Sequence, residues 1–417
     1  MEIQKKRVCL ILPGKLPVPN IKGGAIETLL TLLLNQNEIH KKVHFIMISP
    51  WTEEIKEASG KYENTEFHYF KIRTGIWKKG INFINYVISR WLGIIDFFKT
   101  PMHHDIEKIV QEIDADYVIV EHGVYKHFDF LLKYFQRSQL YLHLHGADTA
   151  LDSNTIQTFG NIITVSEFVR RFYEKRIPTA DIKFHVCLNG IDDGIFLKKI
   201  TAEMRQRIRS SFGVMEEDLL VIYCGRLIRI KGVKELVQAI LDTQNPHIKL
   251  MIVGSSNFAG AKKNKYIHDL ETLIGNNRKN IFFTGFVSNV ELYRYYQSAD
   301  IQIICSICEE AGALVLAEGR MSKLPQIITD SGGNAEYADP ANSILIKKNN
   351  SLTDHQDRMK LSAQLTEKLN ELYTRYQQNK RLQVSLDNSW SEFDARHFYT
   401  FFLLIRCIQF IQFFRQL

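Results

Sequence analysis

The sequence predicts an α/β protein with two doubly wound parallel sheets, one in each half of the chain. A length of 417 residues is sufficient for two such domains. Short apolar runs alternate with helical segments in both halves, which is the rhythm of βαβ units and of a parallel sheet. Several apolar runs are followed by glycine-containing turns, such as Gly23-Gly24 and Ser331-Gly332-Gly333.

The composition is that of a soluble globular protein, with 45% hydrophobic and 24% charged residues. The formal net charge of +7 is consistent with an anionic ligand or an anionic membrane surface. No run of lysine and arginine is dense enough to indicate nucleic acid, so we expect no nucleic-acid partner.

The cysteines and the apolar runs indicate a cytoplasmic protein. Six cysteines are scattered, mostly within apolar runs, which is typical of buried reduced thiols. Cys305-x-x-Cys308 is a single pair without a second one, so it does not predict a metal or redox site. The first apolar run, VCLILP, is too short for a signal peptide, and no run reaches the roughly 18 apolar residues of a transmembrane helix.

The first half of the chain supplies the first predicted sheet and its helices. The predicted strands are RVCLILP, VHFIMIS, EFHYFKI, DYVIVEH, QLYLHLH, NIITVS and FHVCLN. The predicted helices include AIETLLTLLLNQ, DIEKIVQEI and EFVRRFYEKR.

A loop rich in proline and glycine separates the first strand from the first helix. It ends in Gly23-Gly24, and glycines there free the backbone to approach a ligand at a helix N-terminus. A plain flexible loop is an equally good interpretation of the residues alone. The loop lacks G-x-G-x-x-G, so it does not predict a dinucleotide site.

The segment Gly80–Lys99 is unusually apolar and aromatic, but several polar residues interrupt it, so it does not predict a membrane span. A helix packed on the core is the preferred interpretation. An amphipathic surface that touches a membrane is the alternative.

Two histidines, His143 and His145, stand at the end of a predicted strand, followed by Asp148. Strand alternation places the two histidines on the same face. A metal site needs a third ligand close by and none stands out, so we expect no metal. The end of a parallel strand favours a ligand-binding role for His145. Asp114-Ala115-Asp116 precedes a strand and is interpreted as solvated loop charge.

The second half begins after a charged helical linker within about Asp192–Asp218. Its first strand, LLVIYCG, leads into Arg226 and then Lys231-Gly232 at the start of a helix. A planar arginine fork and a mobile lysine in that position can neutralise a diphosphate. Two solvated surface cations are the alternative interpretation.

The stretch Cys305–Tyr337 holds two carboxylates, Glu310 and Glu318, in the pattern E-x7-E. Glu310 follows the apolar run DIQIICS and Glu318 lies in the predicted helix LVLAEGRM, so both can face one crevice. The small residues before this helix leave backbone N–H groups accessible, and these suit phosphate or hydroxyl oxygens. Carboxylate acceptors and helix N-termini at strand ends suit a sugar nucleotide.

These motifs resemble those of the family-4 retaining nucleotide-sugar glycosyltransferases, of glycosyltransferase group 1. The matching features are E-x7-E, Pro325, GG-x-x-E (Gly332 to Glu336) and G-R-L-x-x-x-K-G (Gly225 to Gly232). NIITVSEFVRRFY and VCLNGIDDGIF resemble two further landmarks, so the resemblance covers nearly the whole chain. The residues next to Glu310 differ from the common pattern, with Cys305-Ser306 before it and Gly312-Ala313 after it, so the preferred sugar does not follow.

The resemblance implies GT-B architecture, in which two Rossmann-like domains face each other across a cleft. Residues 1–195 would form the acceptor-side domain and residues 196–385 the nucleotide-sugar-binding domain. Residues 386–417 would form a helix that crosses back to the first domain. The aromatic load of that last segment also fits an interfacial membrane helix, and the two interpretations stay open.

The resemblance also implies a role for each candidate site residue. Arg226 and Lys231 would hold the diphosphate, Glu318 the ribose hydroxyls, and Glu310 the donor sugar. His145 would line the sugar pocket. The remaining substrate-binding candidates are Gly23, Gly24, Phe286, Val287, Gly312, Ala313 and Leu314.

The implied activity is that of a hexosyltransferase that retains anomeric configuration and needs no cofactor or metal. The donor would be a nucleotide sugar, UDP-linked, and the acceptor a glycan or lipid-linked saccharide of bacterial surface polysaccharide, lipopolysaccharide or capsule. The protein would be cytoplasmic, with peripheral contact to the inner face of the membrane as an option. The alternatives are a phosphorylase-like or sugar-phosphate synthase activity, and a non-catalytic sugar-nucleotide-binding or glycan-binding subunit.

Overall fold

A computed structural model describes residues 5–21, 23–72, 100–121, 126–147, 151, 153–177, 181–255, 265–347 and 355–379. The apolar segment Gly80–Lys99, Asp148 and the segment 386–417 therefore lie outside the described residues. The chain divides into two compact units, and the change from the first to the second falls between Asn189 and Gly190.

The first unit contains a parallel sheet with the strand order β3-β2-β1-β4-β5-β6-β7. Its strands are β1 (Lys6–Ile11), β2 (Val43–Pro50), β3 (Thr65–Phe70), β4 (Tyr117–Glu121), β5 (Leu140–Leu144), β6 (Asn161–Thr164) and β7 (Lys183–Val186). Its described helices are α1 (Ala25–His40), α2 (Ile55–Ser59), α3 (Pro101–Glu112), α4 (Ser153–Gln157) and α5 (Glu167–Glu174), with 3-10 turns at Asp129–Lys133 and Arg137–Gln139.

The second unit contains a second parallel sheet, with the order β10-β9-β8-β11-β12-β13. Its strands are β8 (Leu219–Cys224), β9 (Ile248–Val253), β10 (Ile281–Gly285), β11 (Ile301–Ile304), β12 (Gln326–Asp330) and β13 (Ser343–Lys347). Its described helices are α6 (Asp193–Phe196), α7 (Ala202–Ser211), α8 (Val233–Asp242), α9 (Lys265–Ile274), α10 (Asn289–Ser298), α11 (Leu314–Met321), α12 (Asn334–Tyr337) and α13 (His355–Asn379), with 3-10 turns at Arg229–Lys231 and Asn277–Lys279.

Alternation along strand β8 shows why helices cover both faces of the second sheet. Val221 and Tyr223 belong to one apolar core, which also contains residues of α8 and α13. Leu220 and Ile222 belong to the other core, which contains residues of α10 and α11. A strand buried on both faces reads as a continuous apolar run, and this is the pattern that predicted the parallel sheets.

The predicted fold class, two parallel-sheet α/β domains, is confirmed. Helix α11 has the predicted bounds, while strand β13 was not predicted because SILIK is short and only partly buried. Among the helices of the described ranges, none combines the length and the apolar character required to cross a membrane.

Candidate active site

The candidate site of the second unit lies where the strand order of its sheet reverses. Strands β8 and β11 are neighbours in the middle of the sheet. The loop after β8 carries Arg226 and Lys231, and the loop after β11 carries Glu310. Ligands of doubly wound sheets bind at the carboxyl ends of the strands at this reversal point.

Lys231 and Glu310 form an ion pair at this point. The Lys231 Nζ donates to Glu310 Oε1 at 2.5 Å, and the two side chains are 18% and 12% exposed. Ser306 Oγ donates to the same carboxylate oxygen at 2.5 Å. The structure therefore brings together two of the residues that the sequence singled out, and adds Ser306, a buried residue, as a partner that the sequence analysis did not assign.

Backbone contacts fix the loops that carry this pair. The N–H of Ile307 donates to the carbonyl of Ile230 at 2.9 Å, and the N–H of Gly333 donates to the carbonyl of Glu310 at 2.7 Å. Gly332 has φ of +59°, and a Cβ there would lie 2.1 Å from the Glu310 carbonyl oxygen. The two glycines after β12 therefore pack against the backbone of Glu310, and the N–H of Gly333 is occupied by that contact.

The N-terminus of α11 directly follows the Glu310 loop. The N–H of Ala313 donates to Asn334 Oδ1 at 3.3 Å. Within the described residues, the backbone N–H groups of Gly312 and Leu314 have no hydrogen-bond acceptor. A Cβ on Gly312 would lie 2.2 Å from the ring of Tyr337, so only glycine fits there. The free N–H groups at this helix start suit an anionic or hydroxyl oxygen.

Glu318, inside α11, is held by a buried tyrosine of α10. Tyr296 OH donates to Glu318 Oε2 at 2.9 Å, and Tyr296 is fully buried. Burial of the carboxyl group raises the pKa of Glu318 to about 7, although the Tyr296 hydrogen bond opposes this shift. Glu318 bonds to Tyr296, whereas Glu310 bonds to Lys231 and Ser306, so the two carboxylates have separate partners.

The other donor-side candidates are more exposed. Arg226 is exposed, and the structure describes no hydrogen bond of its guanidinium to any described residue. Phe286 is 55% exposed, directly after β10, whereas Val287 packs partly against the core beneath it. An exposed cation and an exposed aromatic ring at strand ends are available to a phosphate and a base.

The glycine loop of the first unit is already organised by its own side chains. Gly23 and Gly24 have φ of +86° and +110°, which favours glycine. The N–H of Gly23 donates to Asn20 Oδ1 at 2.7 Å. Glu27 follows in the first turn of α1, where burial raises its pKa. The N–H of Gly23 is thus used inside the loop.

His145 belongs to a buried cluster at the carboxyl ends of β4 and β5. His145 Nε2 and His143 Nδ1 lie 3.0 Å and 2.9 Å from the same atom, Glu121 Oε2. Burial by itself would raise the pKa of Glu121, but the two imidazoles outweigh it and lower that pKa. Burial and the neighbouring His143 lower the pKa of His145 to about 4, so its imidazole is neutral at pH 7.

Sequence reasoning missed Glu121 because it is 24 positions from His145 in the chain. Parallel pairing of β4 with β5 places Glu121 opposite His143. The detectable signal was the carboxylate at the end of DYVIVE, one strand before the histidines.

Comparisons with known proteins agree with this architecture. Residues 204–383 match the family model of Glycosyl transferases group 1. Spore coat protein SA of Bacillus subtilis is 24% identical over 386 residues, which cover 90% of this chain and 92% of that protein. The lipopolysaccharide 1,2-N-acetylglucosaminetransferase of Salmonella typhimurium is 26% identical over 55% of this chain and 58% of its own length.

A solved structure of HepE from Anabaena, in complex with UDP-glucose, superposes with a TM-score of 0.66 at 16% sequence identity. The match covers 98% of this chain and 100% of HepE, and at this identity it shows the fold. The family match within the second unit, the similarity to the Salmonella transferase and the fold shared with HepE together support a glycosyltransferase.

Proposed function

We propose that this chain transfers a hexose from a UDP-linked donor to a glycan or lipid-linked saccharide, with retention of the anomeric configuration. The observation that carries the proposal is the convergence of Lys231, Glu310 and the open start of α11 at the reversal point of the second sheet. That arrangement offers a cation and backbone donors to a diphosphate, and carboxylates to sugar hydroxyls.

Within this proposal, Arg226 and Lys231 stabilise the negative charge that develops on the leaving diphosphate. Glu310 orients the donor sugar and Glu318 accepts from the ribose hydroxyls. Phe286 and Val287 contact the base. The role of His145 in binding the sugar rests on the family resemblance alone. The choice of UDP is supported by the UDP-glucose complex of HepE.

The acceptor class is supported by the similar lipopolysaccharide transferase. Peripheral contact with an anionic membrane is part of the proposal, supported by the net charge of +7 and the aromatic sequence of residues 398–417. Deletion of Phe401–Leu417 tests that part by sedimentation with anionic vesicles. Loss of binding supports membrane contact, and an unchanged soluble fraction contradicts it.

The experiment that tests the activity is a panel of nucleotide sugars incubated with lipid-linked saccharides and glycans, with products identified by mass spectrometry. We expect sugar transfer from one UDP-linked donor by the wild type and by Lys234→Ala, whose lysine is a nearby exposed residue. We expect no transfer by Lys231→Ala. Nucleotide binding without transfer to any acceptor would favour the non-catalytic alternative.

A further inference from the structure

We propose that Glu121, His143 and His145 form a binding site for a divalent transition metal, most suitably Zn²⁺. The three side chains offer one carboxylate oxygen and two imidazole nitrogens, and these ligand atoms all lie within 4.8 Å of one another. Two histidines and one carboxylate are a ligand set that zinc and related metals use in proteins.

The distances are close to those that a bound metal requires. A tetrahedral zinc with bonds of about 2.0–2.1 Å places its ligand atoms about 3.3 Å apart. The two nitrogens lie 2.9 Å and 3.0 Å from Glu121 Oε2. Both nitrogen–oxygen distances therefore lie within a few tenths of an ångström of those in a tetrahedral zinc site.

An independent observation also points to a ligand. Glu121 is fully buried, and its second oxygen, Oε1, has no hydrogen-bond partner in the described part of the chain. A buried carboxylate with an unused oxygen is costly unless a cation or a further donor compensates it. A dication at the point where both imidazoles converge supplies that compensation.

The backbone fixes the ligands before any metal arrives. Glu121 is the last residue of β4 and pairs in register with His143 of β5. His145 follows β5 immediately and its ring centroid lies 4.0 Å from that of His143. Ligands carried by two adjacent parallel strands are preorganised, because neither strand can move without breaking the ladder.

The proposed metal site is independent of the donor site of the second unit, and it differs from the expectation of no metal in the sequence analysis. The three ligands leave a coordination position for water or for an oxygen of a substrate. The site is distinct from a diphosphate-bound magnesium site, because its ligands are mainly imidazoles rather than oxygens.

The test uses the full chain without a purification tag. The protein is freed of metal with a chelator and titrated with Co²⁺, whose visible absorption reports coordination, and with Zn²⁺ by calorimetry. Elemental analysis of the untreated protein is the second readout. We expect about one metal per chain, visible Co²⁺ bands that Zn²⁺ abolishes, and a rise in melting temperature with Zn²⁺.

Glu121→Gln and His143→Ala should each weaken metal binding by more than about 100-fold. Loss of a residue that only supports a ligand costs up to about 100-fold, and loss of a direct ligand should cost more. His68→Ala is the matched control, because His68 also contacts a glutamate, Glu66, at 2.6 Å but lies outside the cluster. We expect metal binding by this control to be unchanged. Circular dichroism establishes that each variant is folded.

The proposal is overturned if folded wild type binds neither Co²⁺ nor Zn²⁺, which would leave a metal-free cluster of a carboxylate and two imidazoles. Metal binding of undiminished affinity by folded Glu121→Gln would overturn it equally, because the ion would then lie elsewhere.

Discussion

The ammonium group of Lys231 lies 2.5 Å from the carboxylate of Glu310, although the two residues are 79 positions apart in the sequence. They meet because β8 and β11, which precede their loops, are neighbours in the second sheet. A nucleotide sugar that binds here must therefore either join this ion pair or replace it. The pair keeps the lysine close to the start of α11, where a diphosphate is expected.

Replacing either member of this pair should remove most of the transferase activity. We expect Lys231→Met or Glu310→Gln to lower kcat/KM by about 100-fold or more, because each variant loses a group that acts on the leaving diphosphate or the sugar. The double variant should lose little more than either single variant, because the two groups act as one unit. Steady-state kinetics of the three variants measure this, and additive losses would show that the pair does not function together.

The raised pKa of Glu318 should make nucleotide binding depend on pH. Its pKa in the folded protein is about 7, above the ordinary value of 4.5. An ionised carboxylate is the stronger acceptor for ribose hydroxyls, so we expect nucleotide affinity to increase between about pH 6 and pH 8. Glu318→Gln should bind more weakly and without this pH dependence, as measured by calorimetry at a series of pH values.

Stability provides an internal control for the Glu318 assignment. At pH values between the ordinary pKa of 4.5 and the folded pKa of about 7, the folded chain binds the Glu318 proton more tightly than the unfolded chain does. The free energy of unfolding therefore decreases as the pH rises towards 7. Glu318→Gln should therefore melt near the wild-type temperature at pH 5 and relatively higher at pH 8. Glu291→Gln, at a partly exposed glutamate of α10 that pairs with Arg294, is the comparison variant. Parallel stability curves for wild type and Glu318→Gln would contradict the raised pKa.

Much of the fold could be predicted from the sequence, because strands buried on both faces leave continuous apolar runs. The turn after α11 was harder to predict from the sequence. Lys323 occupies a left-handed conformation, with φ of +65°, which is uncommon for residues other than glycine. The N–H of Lys323 donates to the carbonyl of Arg320, and the N–H of Leu324 donates to the carbonyl of Gly319. These two hydrogen bonds stabilise the turn although Lys323 carries a side chain.

The contacts within the candidate sites could not be predicted in the same way. Lys231 and Glu310 were each proposed from their position at a strand end, but their pairing depends on the order of strands in the sheet. Glu121 was overlooked for the same reason, since β4 and β5 are adjacent only in the folded sheet. The hydrophobic periodicity of a sequence indicates which residues are buried. It gives little information on which strands are neighbours in the sheet.

Gly332 should be intolerant of substitution because of the backbone of Glu310. A Cβ there meets the Glu310 carbonyl oxygen at 2.1 Å, and φ is +59°. Gly213 is a matched control, with φ of +68° and open space around the position. We expect Gly213→Ala to cost about 1 kcal/mol for its backbone conformation alone, and Gly332→Ala about 2 kcal/mol or more.

Activity should separate the two glycine variants further. Gly332→Ala shifts the loop that holds Glu310, so sugar transfer should fall, while Gly213→Ala should keep wild-type kcat/KM. Chemical denaturation and kinetics on both proteins provide the comparison. Equal losses of stability and activity in the two variants would show that the contact with Glu310 is unimportant.

A buried arginine should be a main source of stability in the second unit. Arg209 donates to Asp300 Oδ2 at 2.9 Å and also to the carbonyls of Ser298, Met215 and Asp218. Arg209→Met leaves Asp300 buried with a lost partner, and we expect a loss of about 3–5 kcal/mol.

Arg205 pairs with the same aspartate but is 26% exposed, so Arg205→Met should cost only about 1 kcal/mol. Denaturation followed by circular dichroism compares the two variants. A larger loss for Arg205→Met than for Arg209→Met would contradict the assignment of Arg209 as the central residue.

The most direct test of the account is the binding of nucleotide sugars to the wild type, Lys231→Met and Lys234→Met, measured by titration calorimetry. UDP-, ADP- and GDP-linked hexoses form the panel, with and without magnesium. We predict that a UDP-linked hexose binds the wild type and Lys234→Met with similar affinity, without magnesium, and binds Lys231→Met at least about 100-fold more weakly. Undiminished binding by Lys231→Met, or no binding of any donor to the wild type, would contradict a donor site at this position.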